Sequence, residues 1–197
     1  GISKANAAKE VDLSIDRLIY YAGWCDKFMQ MYSSVNPVSG SYFNFSIPES
    51  VGVVAVFAPQ KSGLLGLVTQ VATIIAGGNT CVVLASEQLA LCAVTFAEVL
   101  ATSDVSGGVV NILTGNQEEL LFQFASHKDV NTILYCGDDS EKIKSIQELS
   151  IENMKRVVIR EDSNYFEDKH ESPYLIFDFQ ETKTTWHPIE VIAGAGA

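Results

Sequence analysis

The sequence predicts an α/β fold: a Rossmann-like, doubly wound parallel sheet of five strands, with an N-terminal helix and a small antiparallel β-arm. Three observations carry this. Short valine-rich runs alternate with helical-period runs between residues 51 and 160. The strand runs are apolar on both faces, as strands covered on both sides must be. A different pattern, aromatic and threonine-rich with alternating polar residues, flanks this block on either side.

Taken in order, residues 4–31 carry Val11, Ile15, Leu18, Ile19, Ala22, Trp24, Phe28 and Met31 at helical spacing. They predict a long amphipathic helix packed on the core and broken near Gly23. Asn36-Pro37 and Ser39-Gly40 mark turns. Ser41–Ile47 alternates aromatic and polar residues, the pattern of a half-exposed strand, and Pro48 is expected to end it. Val51–Phe57 is a doubly buried strand broken by Ala58-Pro59. Leu64, Leu65, Leu67, Val68, Val71, Ala72, Ile74 and Ile75 then form a helix stopped by Gly77-Gly78. Cys81–Ala85 completes a βαβ unit, whose ligands sit off the carboxyl ends of its strands.

The alternation continues with a helix over Gln88–Thr102, a strand over Val109–Leu113, and a capping turn at Thr114–Asn116. Gln117–Ser126 is a helix and Asn131–Cys136 a strand. Gly137–Ser140 turns into a helix to about Leu149, and Lys155–Arg160 is the fifth strand. Glu161–Ser172 is charged and aperiodic and reads as a linker. Tyr174–Phe179 and Thr182–Pro188 read as extended strands, giving a tail without helix. The predicted organisation is therefore a helical segment over 1–35, a sheet domain over 51–160, a linker over 161–173, and an arm from 41–47 and 174–188. The arm strands are expected to pair and to offer open edges to a partner.

At 197 residues the chain fits one domain with an attached arm, enough to bury roughly 70% of its unfolded surface. A net charge of −11 and a pI near 4.6 argue against nucleic acid and anionic membrane as partners. No apolar run reaches the length of a membrane span, and the polar first residues do not form a signal peptide. The absent initiator Met and the ending Ala193–Ala197 suggest a trimmed chain or an excised piece. Cys25, Cys81, Cys92 and Cys136 form no C-x-x-C pair and read as reduced core residues of a cytoplasmic protein. His127, His170 and His187 lie far apart, so no metal site is expected.

Several ordered motifs then resemble aldehyde dehydrogenases. Ser14–Lys27, containing Tyr20-Tyr-Ala-Gly-Trp-Cys-Asp-Lys27, is similar to the family helix R-x-x-Y-Y-A-G-W-A-D-K. Pro48–Pro59 looks like the E-P-x-G-V-V-x-x-I-x-P strand. Ala76–Val83, Ser86-Glu87-Gln88 and Gly108–Gly115 resemble the next segments in order. Lys155-Arg156-Val157 is similar to the strand leading to the family's catalytic glutamate, and Gln180–Trp186 to its C-terminal oligomerisation strand. The resemblance covers most of residues 10–160 and about 178–188.

What the resemblance implies is a cofactor-type domain without the catalytic domain. In the family that domain, with its G-Q-x-C nucleophile, lies between the strand at Lys155–Arg160 and the terminal strand. Here a short segment fills the gap. Lys61 stands where the family has an oxyanion-stabilising Asn, a donor worth roughly 3–4 kcal/mol of barrier. The K-P-S-E motif reads Leu84–Glu87, keeping Glu87 for a ribose but losing the Lys. The F-T-G-S turn beside the cofactor pyrophosphate reads Tyr135–Asp138. A carboxylate close to a pyrophosphate repels it by about 4 kcal/mol at intermediate dielectric. The general-base Glu position is Arg160, which does not accept a proton at neutral pH.

The expectation is a non-catalytic module like the truncated second copy in the sixteenth aldehyde dehydrogenase family. It has no cofactor, or at most residual NAD bound through Glu87, Ser62 and Gly137. Its partner is a second copy or another aldehyde-dehydrogenase-like domain, met through the β-arm. The alternatives are a regulatory site for a nucleotide or small anion, and service as the cofactor domain of an active enzyme. Lys61 and Arg160 could also share an anion at the strand ends, Asp138 and Asp139 could hold a cation, and Cys136 could be a reactive thiol. Their plainer readings are solvated or salt-bridged charge, a helix cap and a buried core residue.

Overall fold

The computed structural model describes residues 2–189. Helix α1 (Lys4–Cys25) and helix α2 (Phe28–Tyr32) lead into strands β1 (Ser34–Asn36) and β2 (Tyr42–Ser50). The alternating block follows as β3 (Val53–Phe57), α3 (Leu65–Ala76), β4 (Thr80–Leu84), α4 (Ala90–Ala101), β5 (Val110–Leu113) and α5 (Gln117–Ser126). It closes with β6 (Thr132–Cys136), α6 (Ser140–Ser150) and β7 (Arg156–Arg160). A short turn of helix, α7 (Tyr174–Phe177), precedes the last strand, β8 (Gln180–Pro188).

The five strands pair in parallel in the order β5-β4-β3-β6-β7. The order reverses between β3 and β6, which makes their carboxyl ends the topological switch point. Alternate residues of β3 serve two cores. Val54 and Val56 pack under α3 and α4 with Val68, Val71, Ile74 and Phe96. Ala55 and Phe57 pack under α5 and α6 with Phe124, Ala125 and Ile146. Helix α3 ends where Gly78 takes φ +79°, a conformation costly for any side chain, while the Gly78 N–H donates to the Ile75 carbonyl at 2.9 Å. No helix among the described residues is long and apolar enough to cross a membrane.

Helix α1 differs from its sequence pattern. Val11, Ile15 and Ile19 are 44%, 50% and 65% exposed, and Ser14, Arg17 and Tyr21 face inward instead. The reason lies in the neighbour. Helix α3, against which α1 packs, buries Thr69, Gln70 and Thr73 as well as its aliphatic residues, and a polar surface selects a polar partner. The helix break falls at Asp26-Lys27, not near Gly23.

The arm is a three-stranded antiparallel sheet in the order β1-β2-β8, with Tyr42 opposite Pro188 and Ser50 opposite Gln180. Strand β2 runs through Pro48 where the sequence predicts a stop. Strand β1 reaches only as far as Ser46, so Pro48 has no strand on that side to deprive of a hydrogen bond. Strand β1 itself lies in a stretch read as the end of the helical segment and its turn. The predicted strand over Tyr174–Phe179 is corrected to the helical turn α7. Pro173, at φ −64°, starts it, and the turn seats Ile176 among Tyr21, Phe28 and Ala72. Nor is 161–173 a loose linker: Tyr165 is 1% exposed, and residues Asp168–His170 form a turn of tighter helix.

Candidate functional site

The residues that sequence reasoning singled out lie at the carboxyl ends of the sheet. The turn after β3 leaves two backbone donors free, the N–H groups of Gln60 and Lys61. Both donate to Oδ2 of Asp162 at 3.0 Å. The Lys61 Nζ donates to the Asp162 carbonyl at 3.4 Å. The first N–H groups of α3 are also taken. Glu10 of α1 accepts from Leu64 and Leu65 at 3.3 and 3.1 Å, and Ser62 Oγ accepts from Gly66 at 2.8 Å. Carboxylates are favoured there by the helix dipole.

After β4, Ser86 Oγ donates to the Gln60 carbonyl at 3.1 Å, and the Glu87 N–H donates to Gln60 Oε1 at 3.0 Å. The Glu87 carboxylate reaches to the start of α5. Its Oε1 accepts from the Gln117 N–H at 2.7 Å, and Oε2 lies 3.5 Å from Asn116 Nδ2. After β6, the Gly137 N–H donates to the Arg160 carbonyl at 2.9 Å. A Cβ at position 137 would stand 2.9 Å from the Tyr135 hydroxyl, so a side chain there would have to displace that ring. Asp139 caps α6 by accepting from Glu141 and Lys142 at 3.0 and 3.2 Å.

Arg160 at the end of β7 points to different partners from Lys61. Its guanidinium pairs with Asp178 at 2.6 Å, donates to Gln70 Oε1 at 2.5 Å and to the Leu175 carbonyl at 3.1 Å, and lies 5.2 Å from the Phe179 ring centre. The expectation of a shared Lys61–Arg160 anion site is therefore corrected to a structural ion pair. Arg17, 1% exposed, does the equivalent work from α1. It donates to Thr69 Oγ1 at 3.1 Å, to the His170 carbonyl at 2.6 Å and to the Tyr165 carbonyl at 3.3 Å. Tyr165 Oη accepts from Gln70 Nε2 at 3.2 Å. Together these groups bind residues 161–179 onto α1 and α3.

Burial controls the titration here. It pushes the Cys136 thiol up to about 12, which makes it a core residue and not a reactive thiolate. It raises Tyr165 well above the usual phenol range. Burial, then Lys169 and Arg17, lowers His170, whose Nε2 lies 3.1 Å from Ser163 Oγ. Cys81 is buried like Cys136, whereas Cys25 and Cys92 are exposed, contrary to a core reading of all four. Among the described residues no cluster of His, Cys, Asp or Glu could hold a metal.

A cleft of about 1010 Å³ remains beside this edge, lined by residues including Lys9, Lys61, Leu64, Leu89, Cys92 and Asp162. Asp162 is 9% exposed and its Oδ1 has no hydrogen-bond partner among the described residues. Thus Ser62, Glu87 and Gly137 lie in the segments that follow three different strands, and Ser62 and Glu87 each hold a helix start. Sequence reasoning missed Glu10, Arg17, Gln60, Asp162 and Tyr165. Ser14, Arg17 and Tyr21 share one helical face, but nothing local distinguishes that face from the aliphatic one as the buried side.

Known proteins share this architecture. The aldehyde dehydrogenase family model matches residues 1–164. Putative aldehyde dehydrogenase DhaS of Bacillus subtilis is 33% identical over 150 residues, 76% of this chain and 30% of its own length. Retinal dehydrogenase 2 of Gallus gallus is 36% identical over 152 residues, 76% of this chain and 29% of its own. Among solved structures, the NAD+ complex of an aldehyde dehydrogenase from Bacillus cereus superposes with a TM-score of 0.71 at 26% identity, over 77% of this chain and 30% of that one. The chain thus spans about 30% of the length of the curated relatives it matches. It belongs to the aldehyde dehydrogenase family.

Proposed function

We propose that this chain is a non-catalytic aldehyde-dehydrogenase-like module that acts in oligomerisation or scaffolding. The observation that carries the reading is internal consumption of the strand-end groups. Asp162 sits on the two N–H groups of the turn after β3. Glu87 is committed to α5, Asp139 to α6, and Arg160 to Asp178 and Gln70. A dinucleotide would have to displace these bonds, and a pyrophosphate would meet Asp138 and Asp139 at the turn before α6, so the residues do not fit NAD. In their place the molecule offers its arm. Phe43, Val35, Tyr42 and Trp186 are 46%, 69%, 48% and 59% exposed, and no strand among the described residues pairs with the outer edge of β8. The natural partner for this arm is a second copy or another domain of the same family.

The test is size and activity together. Light scattering of the full chain should show an assembly that Phe43→Ser with Phe45→Ser reduces, and the chain should not reduce NAD with any aldehyde. Turnover, or an assembly indifferent to the arm, would overturn the proposal.

A further inference from the structure

Helix α1 shows solvent a row of residues that nothing among the described residues covers, and the row is symmetric about one position. Outward from Ile15 by four, seven and eleven positions, the chain reads Ile19, Ala22 and the C-cap residue Asp26, whose backbone is still helical, in one direction and Val11, Ala8 and Lys4 in the other. All seven residues are exposed. On a helix of 3.6 residues per turn these steps stay within about 40° of one line. The row is therefore a single continuous face. Its centre is aliphatic, its shoulders are alanine, and its two ends carry opposite charges.

A face with this symmetry fits its own copy laid antiparallel. We infer that α1 is a self-association surface, through which two copies of the chain pair about a two-fold axis near Ile15. Each residue then faces its mirror position. Ile19 lies beside Val11 of the partner subunit, Ala22 beside Ala8 of the partner subunit, and Asp26 beside Lys4 of the partner subunit. The last pairing occurs at both ends. Neither Lys4 nor Asp26 has an ion-pair partner among the described residues, so both charges are available. The alanines allow close approach. Asp12 and Asp16 flank one side of the seam and stay in solvent at the rim, where salt screens them. A single helix pair is at the small end of specific interfaces, so the association is weak. The inference does not rest on the arm, which shares no residue with this face.

The experiment uses the full chain with Cys25→Ser and Cys92→Ser, which removes the two exposed thiols. A short bismaleimide should join two copies carrying Ile15→Cys. It should also join copies carrying Ala8→Cys together with Ala22→Cys. It should not join copies carrying Ala8→Cys alone, because equivalent positions would lie about 21 Å apart along the seam. In sedimentation equilibrium Ile15→Glu should weaken self-association about tenfold or more. Position 15 is half exposed, so the fold tolerates the change. Lys4→Glu should weaken self-association, and adding Asp26→Lys should restore it, a rescue that mere loss of helix stability would not give. Self-association unchanged by Ile15→Glu, joining through Ala8→Cys alone, or a chain monomeric at every concentration would overturn the inference. Assembly that responds to Phe43→Ser but not to Ile15→Glu would overturn it while leaving the arm reading intact.

Discussion

The carboxyl edge of the main sheet and the β-arm treat their functional groups in opposite ways. At the sheet edge almost every charged group is answered from within the chain, and residues far apart in sequence meet to do it. Arg17 bonds Thr69 and the carbonyls of Tyr165 and His170, and Arg160 bonds Gln70 and Asp178. Beyond the base of the arm, where Gln180 donates to the Gly77 carbonyl and Arg156 reaches Gln180 and Glu181, polar side chains of the arm pair within the sheet. Asn36 donates to Ser46 and Ser46 shares a hydrogen with Thr184 on one face, while Phe43 and Val35 stand in solvent on the other. A site that satisfies itself has little left with which to bind a ligand. A surface that leaves large apolar side chains in water gains by being covered.

The largest test of this contrast is to unlock the sheet edge. Arg17→Ala should cost about 3 kcal/mol in urea denaturation, because it leaves the buried Tyr165 carbonyl unpaired and removes the charged bonds to Thr69 and His170. A change below about 1 kcal/mol would mean that residues 161–179 are not held as described. Next in size, Asp162→Ala should cost about 1–2 kcal/mol by leaving the Gln60 and Lys61 N–H groups unpaired. In the arm, Phe43→Ser should change stability by only about 0.5 kcal/mol yet reduce assembly in sedimentation. If the same substitution unfolds the protein without changing assembly, the contrast is broken.

The smallest effect is a pH dependence. His170 has a folded pKa below its ordinary 6.5, chiefly through burial. The folded state resists the proton that the unfolded chain accepts. Its contribution is therefore fully present above pH 6.5 and is lost as pH falls through the folded value. Melting temperature should drop on acidification below pH 6.5, and His170→Asn should flatten that part of the curve. An unchanged slope in the variant would assign the dependence to other groups.

The alternating sheet was legible because its strands are apolar on both faces and its first crossover helix stops at Gly77-Gly78. Sequence could not say which face of α1 is buried, since that depends on the polar flank of α3. Nor could four residues such as Tyr174–Phe177 display a period, so helix and strand read alike there. The arm pairing was legible from its alternation, but the short β1 was not. At the site, Glu87, Ser62 and Gly137 could be named from motif position. Their hydrogen-bond partners could not, because Glu87 meets Gln117 and Asp162 meets Gln60 only after the sheet has assembled.

The most direct measurement is a calorimetric titration of the full chain with NAD at millimolar concentration. A self-satisfied sheet edge predicts no saturable heat. Saturable binding that Glu87→Ala abolishes would contradict it, and would show that the carboxylate leaves the start of α5 to hold a ribose.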